Sequence, residues 1–255
     1  MKILKFKLHG STAFFKKPDV NSYLYFTYSN IHKIALIGIF GAIIGYGGYN
    51  QLDFRKRIDK NNKDVLPEFY TKLEGLKVGI EPLNSEAVIN KKVQVFNNSV
   101  GYASKEMGGN LIVKEQWLEN PAWNIYLLID NDEAVKISEY IVNNKAVYQP
   151  YLGKNDHIAN ISEVEIQDNC SKALKISEIN SLCFNEDISF IMPEIDPLFD
   201  EEVKEIFKYK EKLPYRLNKD TSQYEFRTFV YSNMDVLELN SDNVYNFKNK
   251  NIVFI

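Results

Sequence analysis

Residues 29–48 read SNIHKIALIGIFGAIIGYGG, and this stretch determines how the rest of the chain must be arranged. Ser29 or Asn30 is a favourable N-cap residue, which predicts that a helix begins here. The segment from Ile34 to Tyr46 is apolar on nearly every side, so two of its faces must be covered by other elements. This profile predicts a core helix packed onto a sheet. The glycines that supply the tight backbone at its end are Gly45, Gly47 and Gly48. The small residues that would let another backbone approach closely are Gly38, Gly41, Ala42 and Gly45.

The same stretch argues against several kinds of function. Its apolar run of 13 residues is shorter than the roughly 20 needed to cross a bilayer, and it lies too far from Met1 for a signal peptide. Neither GxGxxG nor GxxxxGK(S/T) occurs in the sequence, so no nucleotide-phosphate loop is predicted. Two interpretations of the apolar face stay open, a plain core helix or a face with a direct role in function. In either case function is to be sought at the ends of the helix.

Charge is distributed unevenly along the chain. The 255 residues are 45% apolar and 25% charged, which is ordinary for a soluble globular protein, and the net charge is -3. Residues 1–60 contain 10 basic and 3 acidic residues, or +7, which leaves 21 minus 31, or -10, for residues 61–255. Such asymmetry is typical of a protein with one side that faces an anion, although solvated lysines would also produce it.

The two cysteines, Cys170 and Cys183, predict neither a metal site nor a disulfide framework. Neither has a CxxC partner or a nearby histidine. We expect reduced core residues in a cytoplasmic protein that uses no metal and no cofactor.

Basic and aromatic residues alternate near the start of the chain. Lys2–Leu8 alternates as a strand with one buried and one basic face. Residues 14–18 and 23–28 then combine lysines with phenylalanine and tyrosine rings, which is what a single-stranded nucleic-acid surface needs, since amines hold phosphates and rings stack on bases. The alternative is a long loop packed on the sheet by its own aromatic residues.

The remaining periodicities predict an α+β fold. Residues 91–117 read as a hairpin whose long tip carries Lys105 and Met107, and a tip of that length indicates contact with a partner. A buried strand at 124–129, a helix capped by Asp130 or Asp132 and a strand at 158–166 follow. Strand, helix, hairpin strand, strand, helix and strand make the βαββαβ order of a ferredoxin-like sandwich. The predicted domains are 1–170, with the hairpin as a thumb, and a smaller, mostly β region at 171–255 that includes an acidic helix at 200–209.

A further set of segments is informative in combination. They are the opening strand and residues 13–18, 32–38, 150–155, 213–217 and 227–232. Taken together, these segments resemble CRISPR-associated protein family five in its type I-B branch, and the resemblance runs over nearly the whole chain.

The resemblance implies a non-catalytic subunit of the RNA-guided complex Cascade. Family members combine a ferredoxin-like RNA-recognition domain with a thumb hairpin, cap the filament of backbone subunits and grip the 5′ handle of CRISPR RNA. The implied partners are CRISPR RNA, the backbone filament subunit, the large subunit and, indirectly, target DNA, with no membrane. Thumb contacts are expected at Lys105 and Met107. The expected RNA contacts are Lys16, Lys17, Tyr28, His32, Lys33, Gly47, Gly48, Tyr49, Arg55 and Lys154.

Two other functions stay open. In the type I-C branch of the same family the protein cuts precursor CRISPR RNA without metal, using tyrosine, lysine and histidine side chains. The nearest equivalent here would be Tyr28, His32 and Lys33, but 91–117 lacks the Lys-His pair that this branch carries there. The other possibility is a protein-interaction scaffold that makes no RNA contact, and its binding would not depend on salt.

Overall fold

The computed structural model describes residues 1–20, 22–59, 64–102, 105–173, 175–192 and 205–255. Within these ranges the α-helices are α1 (Lys33–Ile44), α2 (Tyr49–Ile58), α3 (Glu68–Leu73) and α4 (Asp132–Val142). The first strands are β1 (Lys2–His9), β2 (Thr12–Ala13), β3 (Val78–Pro82), β4 (Lys91–Asn97), β5 (Ile112–Glu119), β6 (Ala122–Ile129) and β7 (Asn160–Gln167). The later strands are β8 (Cys183–Phe184), β9 (Ile188–Phe190), β10 (Lys208–Leu217), β11 (Tyr224–Ser232), β12 (Val236–Leu239), β13 (Val244–Phe247) and β14 (Lys250–Val253).

The central sheet is ferredoxin-like, and the predicted α+β class is confirmed. Its strand order is β3-β6-β1-β7, and every neighbouring pair is antiparallel. Helix α1 connects β1 to β3, and α4 connects β6 to β7, which gives βαββαβ with the first and third strands at the centre. Both helices contribute to the core cluster that contains Leu4, Phe6 and Leu8 of β1.

The second strand of the sheet differs from the prediction. An arm of the 91–117 hairpin was expected in this position, but the strand is β3. All five residues of β3 are buried, so it lacks the alternation by which strands are recognised. Its Gly79 leaves room for Ile252, because a Cβ atom on Gly79 would lie 2.3 Å from the Ile252 side chain. Glycine and proline are uncommon inside strands, so a five-residue segment that contains both was not predicted as a strand.

The hairpin itself is confirmed as a separate element. Strands β4 and β5 pair from Lys91 opposite Leu118 to Asn97 opposite Ile112, and β2 adds a third strand at the base. We call β4, β5 and the segment between them the thumb.

Helix α1 ends where the sequence predicted but begins later. Gly45 has a φ of +86° and donates its backbone N–H to the carbonyl of Gly41, as expected for a terminating glycine. The N-cap is His32, whose Nδ1 accepts from the Ala35 N–H at 3.2 Å, so the prediction of Ser29 or Asn30 was wrong. Asn30 is instead buried and accepts a hydrogen bond from the Trp123 indole at 2.9 Å.

Gly48, which was predicted to belong to the end of α1, has another position. Gly48 is the N-cap of α2 and does not belong to the end of α1.

Among the described helices, none is long and apolar enough to span a bilayer.

The C-terminal part covers the other face of the sheet. Ile3, Tyr126 and Leu128 form a cluster with residues of the β13–β14 hairpin. Strands β10, β11 and β8 form a further sheet, and Leu213 and Phe229 from it join the main core. Both cysteines are buried and free, as predicted. A domain boundary near residue 170 stays a prediction.

The acidic helix predicted at 200–209 was wrong at its C-terminal end. Residues 200–204 lie outside the described residues, and Lys208 and Tyr209 belong to β10. The first half of β10 alternates between exposed and half-buried positions, which is the period of a strand.

Candidate nucleic-acid interface

An open groove lies between helix α1 and the base of the thumb. It encloses about 880 Å³ and is lined by residues of α1, the start of α2, the loop after β2 and the segment before β7. We call it the α1 groove. Half of the ten predicted RNA contacts line it, and these are Lys16, His32, Gly48, Tyr49 and Lys154.

Small residues keep the floor of the α1 groove open. Ala35, Gly38 and Ala42 of α1 line it, and the nearest atom to a Cβ built on Gly38 would be 3.8 Å away. Gly41 serves the packing that the sequence predicted, because a Cβ there would meet Phe69 at 2.5 Å. One side of α1 is therefore packed by α3 and another lines the groove.

Three exposed tyrosine rings stand in the groove walls. Tyr49, Tyr148 and Tyr151 are 45%, 52% and 44% exposed. An exposed ring can stack on any base, and each such stack contributes about 1–3 kcal/mol. The position of these rings suits splayed, single-stranded nucleotides better than a duplex.

Two lysines line the groove, and one of them is paired with carboxylates of the protein. The Lys16 ammonium lies 4.0 Å from the centre of the Tyr25 ring. Lys154 contacts Asp156 at 3.1 Å and Glu115 at 3.3 Å. Burial acts to lower the pKa of Lys154, but the hydrogen bonds to Asp156 and Glu115 outweigh it and raise that pKa, so this amine stays charged at neutral pH.

The glycine before Lys154 sets the position of its side chain. Gly153 has a φ of +89°, and a Cβ there would lie 2.0 Å from the Phe14 carbonyl oxygen. The backbone N–H of Phe14 also donates to the Leu152 carbonyl at 3.0 Å. The turn is thus pressed against the loop that carries Lys16, which brings both lysines to one groove.

His32 lines the groove but is a buried, neutral group. Its side chain packs edge-on against the rings of Phe15, Tyr28 and Tyr224. Burial lowers the pKa of His32 to about 3. With Nδ1 occupied by the helix cap, the ring serves as a structural wall of the groove.

The other five predicted contacts do not line the groove. Lys17 lies 3.5 Å from the buried carboxylate of Glu211. Tyr28 is 2% exposed, its hydroxyl has no hydrogen-bond partner among the described residues, and burial raises its pKa. Lys33 donates to the carbonyl oxygen of Ile255 at 3.2 Å, and burial lowers its pKa to about 8.

Gly47 and Arg55 meet at one glutamate. The Gly47 N–H donates to Glu68 Oε2 at 3.0 Å, and Arg55 Nη2 lies 3.5 Å from the same oxygen. Arg55 of α2 and the residue before the N-cap of α2 are therefore both held by Glu68 of α3. Lys105 and Met107 are exposed on the thumb, away from the groove lining.

The basic face of β1 is largely neutralised within the protein. Lys5 and Lys7 lie 3.4 and 3.2 Å from Glu163 of β7, and Lys2 lies 3.0 Å from Asp168. The positive charge of residues 1–60 is therefore only partly available to a ligand.

Several lining residues were not predicted from the sequence. Tyr148 and Tyr151 flank the turn that was singled out for Lys154, and two aromatic residues beside a predicted turn were an available signal. Glu115 and Tyr224 gave no such signal, because each lies within a strand that sequence alone cannot place beside the groove.

No protein-family model matches this sequence, and no curated protein is detectably similar to it. Solved structures do share its fold. A chain of a CRISPR RNA-guided surveillance complex matches with a TM-score of 0.51 and 12% identity, covering 92% of this chain and 91% of that chain.

Two further solved structures match with lower TM-scores. A chain of the type III-B Cmr-beta complex bound to cognate target RNA and AMPPnP matches with a TM-score of 0.49 and 12% identity, covering 92% of this chain and 86% of that chain. A CRISPR protein from Archaeoglobus fulgidus matches with a TM-score of 0.48 and 9% identity, covering 99% and 98%. At these identities the shared property is the fold, which the chain has in common with a subunit of a CRISPR RNA-guided surveillance complex.

Proposed function

We propose that this chain is a non-catalytic subunit of a type I-B CRISPR Cascade complex. In this role it binds the 5′ handle of CRISPR RNA in the α1 groove and caps the filament of backbone subunits in the cytoplasm. The observation that carries the proposal is the groove itself, in which exposed tyrosine rings stand beside the amines of Lys16 and Lys154. The fold that it shares with a chain of a CRISPR RNA-guided surveillance complex supports the same role.

The groove offers the two interactions that hold a short single strand. Ammonium groups attract phosphates regardless of sequence, and exposed rings stack on bases. In RNA-guided complexes the protein holds the RNA while base pairing reads the target, so a subunit of this kind needs no catalytic group. Target DNA would then meet this chain only indirectly.

The thumb supports contact with other subunits. Val93 and Val95 of β4 and Ile112 of β5 share one face and are each more than half exposed, at 54%, 51% and 55%. Met107 near the tip is fully exposed. Exposed apolar residues in one patch suit a protein partner, which under this proposal is the backbone filament subunit or the large subunit.

The nuclease alternative has less support. Metal-independent cleavage at Tyr28, His32 and Lys33 needs a general base and acid within reach of the RNA. His32 Nδ1 is occupied by the Ala35 N–H, and the Lys33 amine contacts Ile255. Of these three residues, only His32 lines the α1 groove.

One binding experiment separates the three functions. The purified chain is incubated with labelled CRISPR repeat RNA, with and without EDTA, and both retention and cleavage are followed over a range of salt concentrations. Intact RNA retained with an affinity that falls by a log-log slope of about -0.7 per phosphate supports the proposal. Binding to protein partners alone would favour the scaffold.

Cleavage has its own control. Specific cutting that persists in EDTA and is lost in His32→Ala would overturn the non-catalytic role. Cutting that His32→Ala does not change would point to a contaminating ribonuclease.

A further inference from the structure

A buried carboxylate lines the α1 groove among its rings and lysines. Glu115 of β5 is 5% exposed. Its Oε2 accepts from the Trp117 indole N–H at 2.8 Å, and the Lys154 ammonium reaches both oxygens at 3.3 and 3.4 Å. A negative charge is unfavourable beside a phosphate path, so its place in an RNA groove needs another explanation.

The carboxylate is held in a fixed position. The Tyr25 N–H donates to the Lys114 carbonyl and the Gln116 N–H donates to the Tyr25 carbonyl, at 2.9 and 2.8 Å. The backbone of Glu115 is therefore clamped by β4 on one side and by Tyr25 on the other. Such a group is preorganised for one ligand geometry.

The Trp117 ring is braced in turn. It packs edge-on against His157 with the ring centres 4.5 Å apart, and His157 Nδ1 forms a 2.7 Å hydrogen bond with the hydroxyl of Thr12. These contacts fix the orientation of the Trp117 ring, and therefore the direction from which its indole N–H meets the carboxylate of Glu115.

We propose that Glu115 reads the Watson–Crick edge of an unstacked guanine, a specificity that rests on the proposed function of the groove. An ionised carboxylate only accepts hydrogen bonds, and it has two oxygens in one plane. Guanine presents two adjacent donors, N1–H and the N2 amino group, that match this pair. Adenine and cytosine place a ring acceptor beside their amino group, and uracil flanks its single N–H with carbonyls, so each of them would face the carboxylate with a repulsive group.

Lys154 and a tyrosine complete the site. The Lys154 ammonium compensates the buried charge of Glu115. On binding, its 3.4 Å contact with Oε2 would be replaced by donation to guanine O6, a common lysine contact, which leaves one acceptor site open on each carboxylate oxygen. Tyr151 is 44% exposed in the same groove and offers a ring on which the base can stack. Acceptor, donor and ring would thus surround one base.

The test uses the full chain and fluorescein-labelled oligouridylates of about ten nucleotides. One central position carries guanosine, inosine, adenosine or cytidine. We expect the guanosine probe to bind about tenfold more tightly than the adenosine and cytidine probes, in keeping with the discrimination of a bidentate pair. Inosine, which lacks the N2 amino group but keeps N1–H, should bind at an intermediate level.

Two variants and one control variant test whether the guanosine preference depends on Glu115. Glu115→Gln should reduce the guanosine preference to within about twofold, because the carboxamide replaces one acceptor by a donor. Trp117→Phe, which removes the orienting N–H, should reduce it in part. Glu119→Gln is the matched control, because it also neutralises a carboxylate of β5. The Glu119 carboxylate pairs with Lys92 at 3.6 Å and does not line the groove.

Each outcome is decisive. Salt-dependent binding with no preference among the four probes overturns the guanine inference and leaves the RNA-binding role intact. Absence of salt-dependent binding to any probe overturns both. If Glu115→Gln retains the guanosine preference, another residue reads the base. If the unmodified chain binds the guanosine and inosine probes equally, the bidentate contact is excluded without use of any variant.

Discussion

Gly153 shows how one backbone position can shape the whole groove. Its positive φ and its contact with the Phe14 carbonyl exclude a side chain. The sequence placed a turn here, but it could not show that the turn presses on a loop more than a hundred residues earlier in the chain. Position-specific requirements of this kind depend on tertiary contacts, which local patterns do not contain.

Gly153→Ala should destabilise the chain by about 1–3 kcal/mol, because the new Cβ meets the Phe14 carbonyl oxygen at 2.0 Å in a backbone conformation that L-residues avoid. Chemical denaturation measures the change. Gly75→Ala is the matched control, since a Cβ there has nothing within 4 Å. Equal stability of the two variants would contradict the role of Gly153.

His32 predicts a pH dependence of stability. Its pKa is lowered from 6.5 to about 3 in the folded chain, so the unfolded state binds the proton first as the pH falls. The stability it contributes is therefore present above pH 6.5 and is lost progressively toward pH 3. Between pH 7.5 and 5.5 the unmodified chain should lose about 1 kcal/mol more unfolding free energy than His32→Asn, which keeps a side chain able to cap the helix. Parallel pH profiles would refute this assignment.

Lys16 and Lys17 are adjacent in sequence but differ in their surroundings. Lys16 lines the groove, whereas Lys17 pairs with the buried carboxylate of Glu211. Lys16→Ala should weaken RNA binding and reduce the magnitude of the salt slope by about 0.7, and Lys17→Ala should leave the slope unchanged. Titrations of both variants at several salt concentrations measure this, and equal slopes would count against the groove as the RNA site.

At the scale of elements, alternation and long apolar runs were recognised, whereas a short strand that contains glycine and proline was not. The alternation of β1 and the apolar run of α1 predicted these elements correctly. Strand β3 was not predicted because all of its residues are buried, so it lacks alternation. The N-cap of α1 was predicted wrongly because Asn30 is bound to Trp123. The first failure lies in a weak local signal, and the second lies in a distant partner that overrides the local signal.

The thumb tip should be dispensable for folding and important for assembly. The ladder between β4 and β5 ends with Asn97 opposite Ile112, so an Asn-Gly turn can replace residues 98–111. We expect the shortened chain to fold and bind RNA like the unmodified chain but to co-purify less well with backbone filament subunits. Lys105→Ala and Met107→Ala test the tip residues singly. Unchanged assembly of the shortened chain would refute a role for the tip.

At the scale of the whole molecule, the order of helices and strands gave the fold class before the strand pairings were known. The sequence could not predict that Leu182, Leu213 and Phe229 enter the same core as the first strand. Nor could it indicate that the groove would take residues from six separate segments of the chain. Such convergence follows from the packing of the elements, and it explains why half of the predicted RNA contacts line the groove and half do not.

A chain of residues 1–170 alone should therefore fail to fold cooperatively. Removal of the rest would leave apolar surface exposed beside Leu73 and Tyr70, whose hydroxyl accepts from the Leu217 N–H at 2.8 Å. We expect weak near-ultraviolet circular dichroism and no sharp thermal transition. Co-expression with 171–255 as a separate chain should restore both signals in part. A sharp transition for 1–170 alone would show two independent domains.

The central position of β1 has a consequence for the time course of folding. Lys2 lies opposite Ile129 and Ile3 lies opposite Gln167, so β1 is synthesised well before either of the strands that it pairs with. Until then its apolar side, with Leu4, Phe6 and Leu8, has no sheet to join. Contacts so distant in sequence slow folding and leave a nascent chain open to aggregation. Slow translation or a chaperone that shields β1 should therefore raise the yield of folded protein.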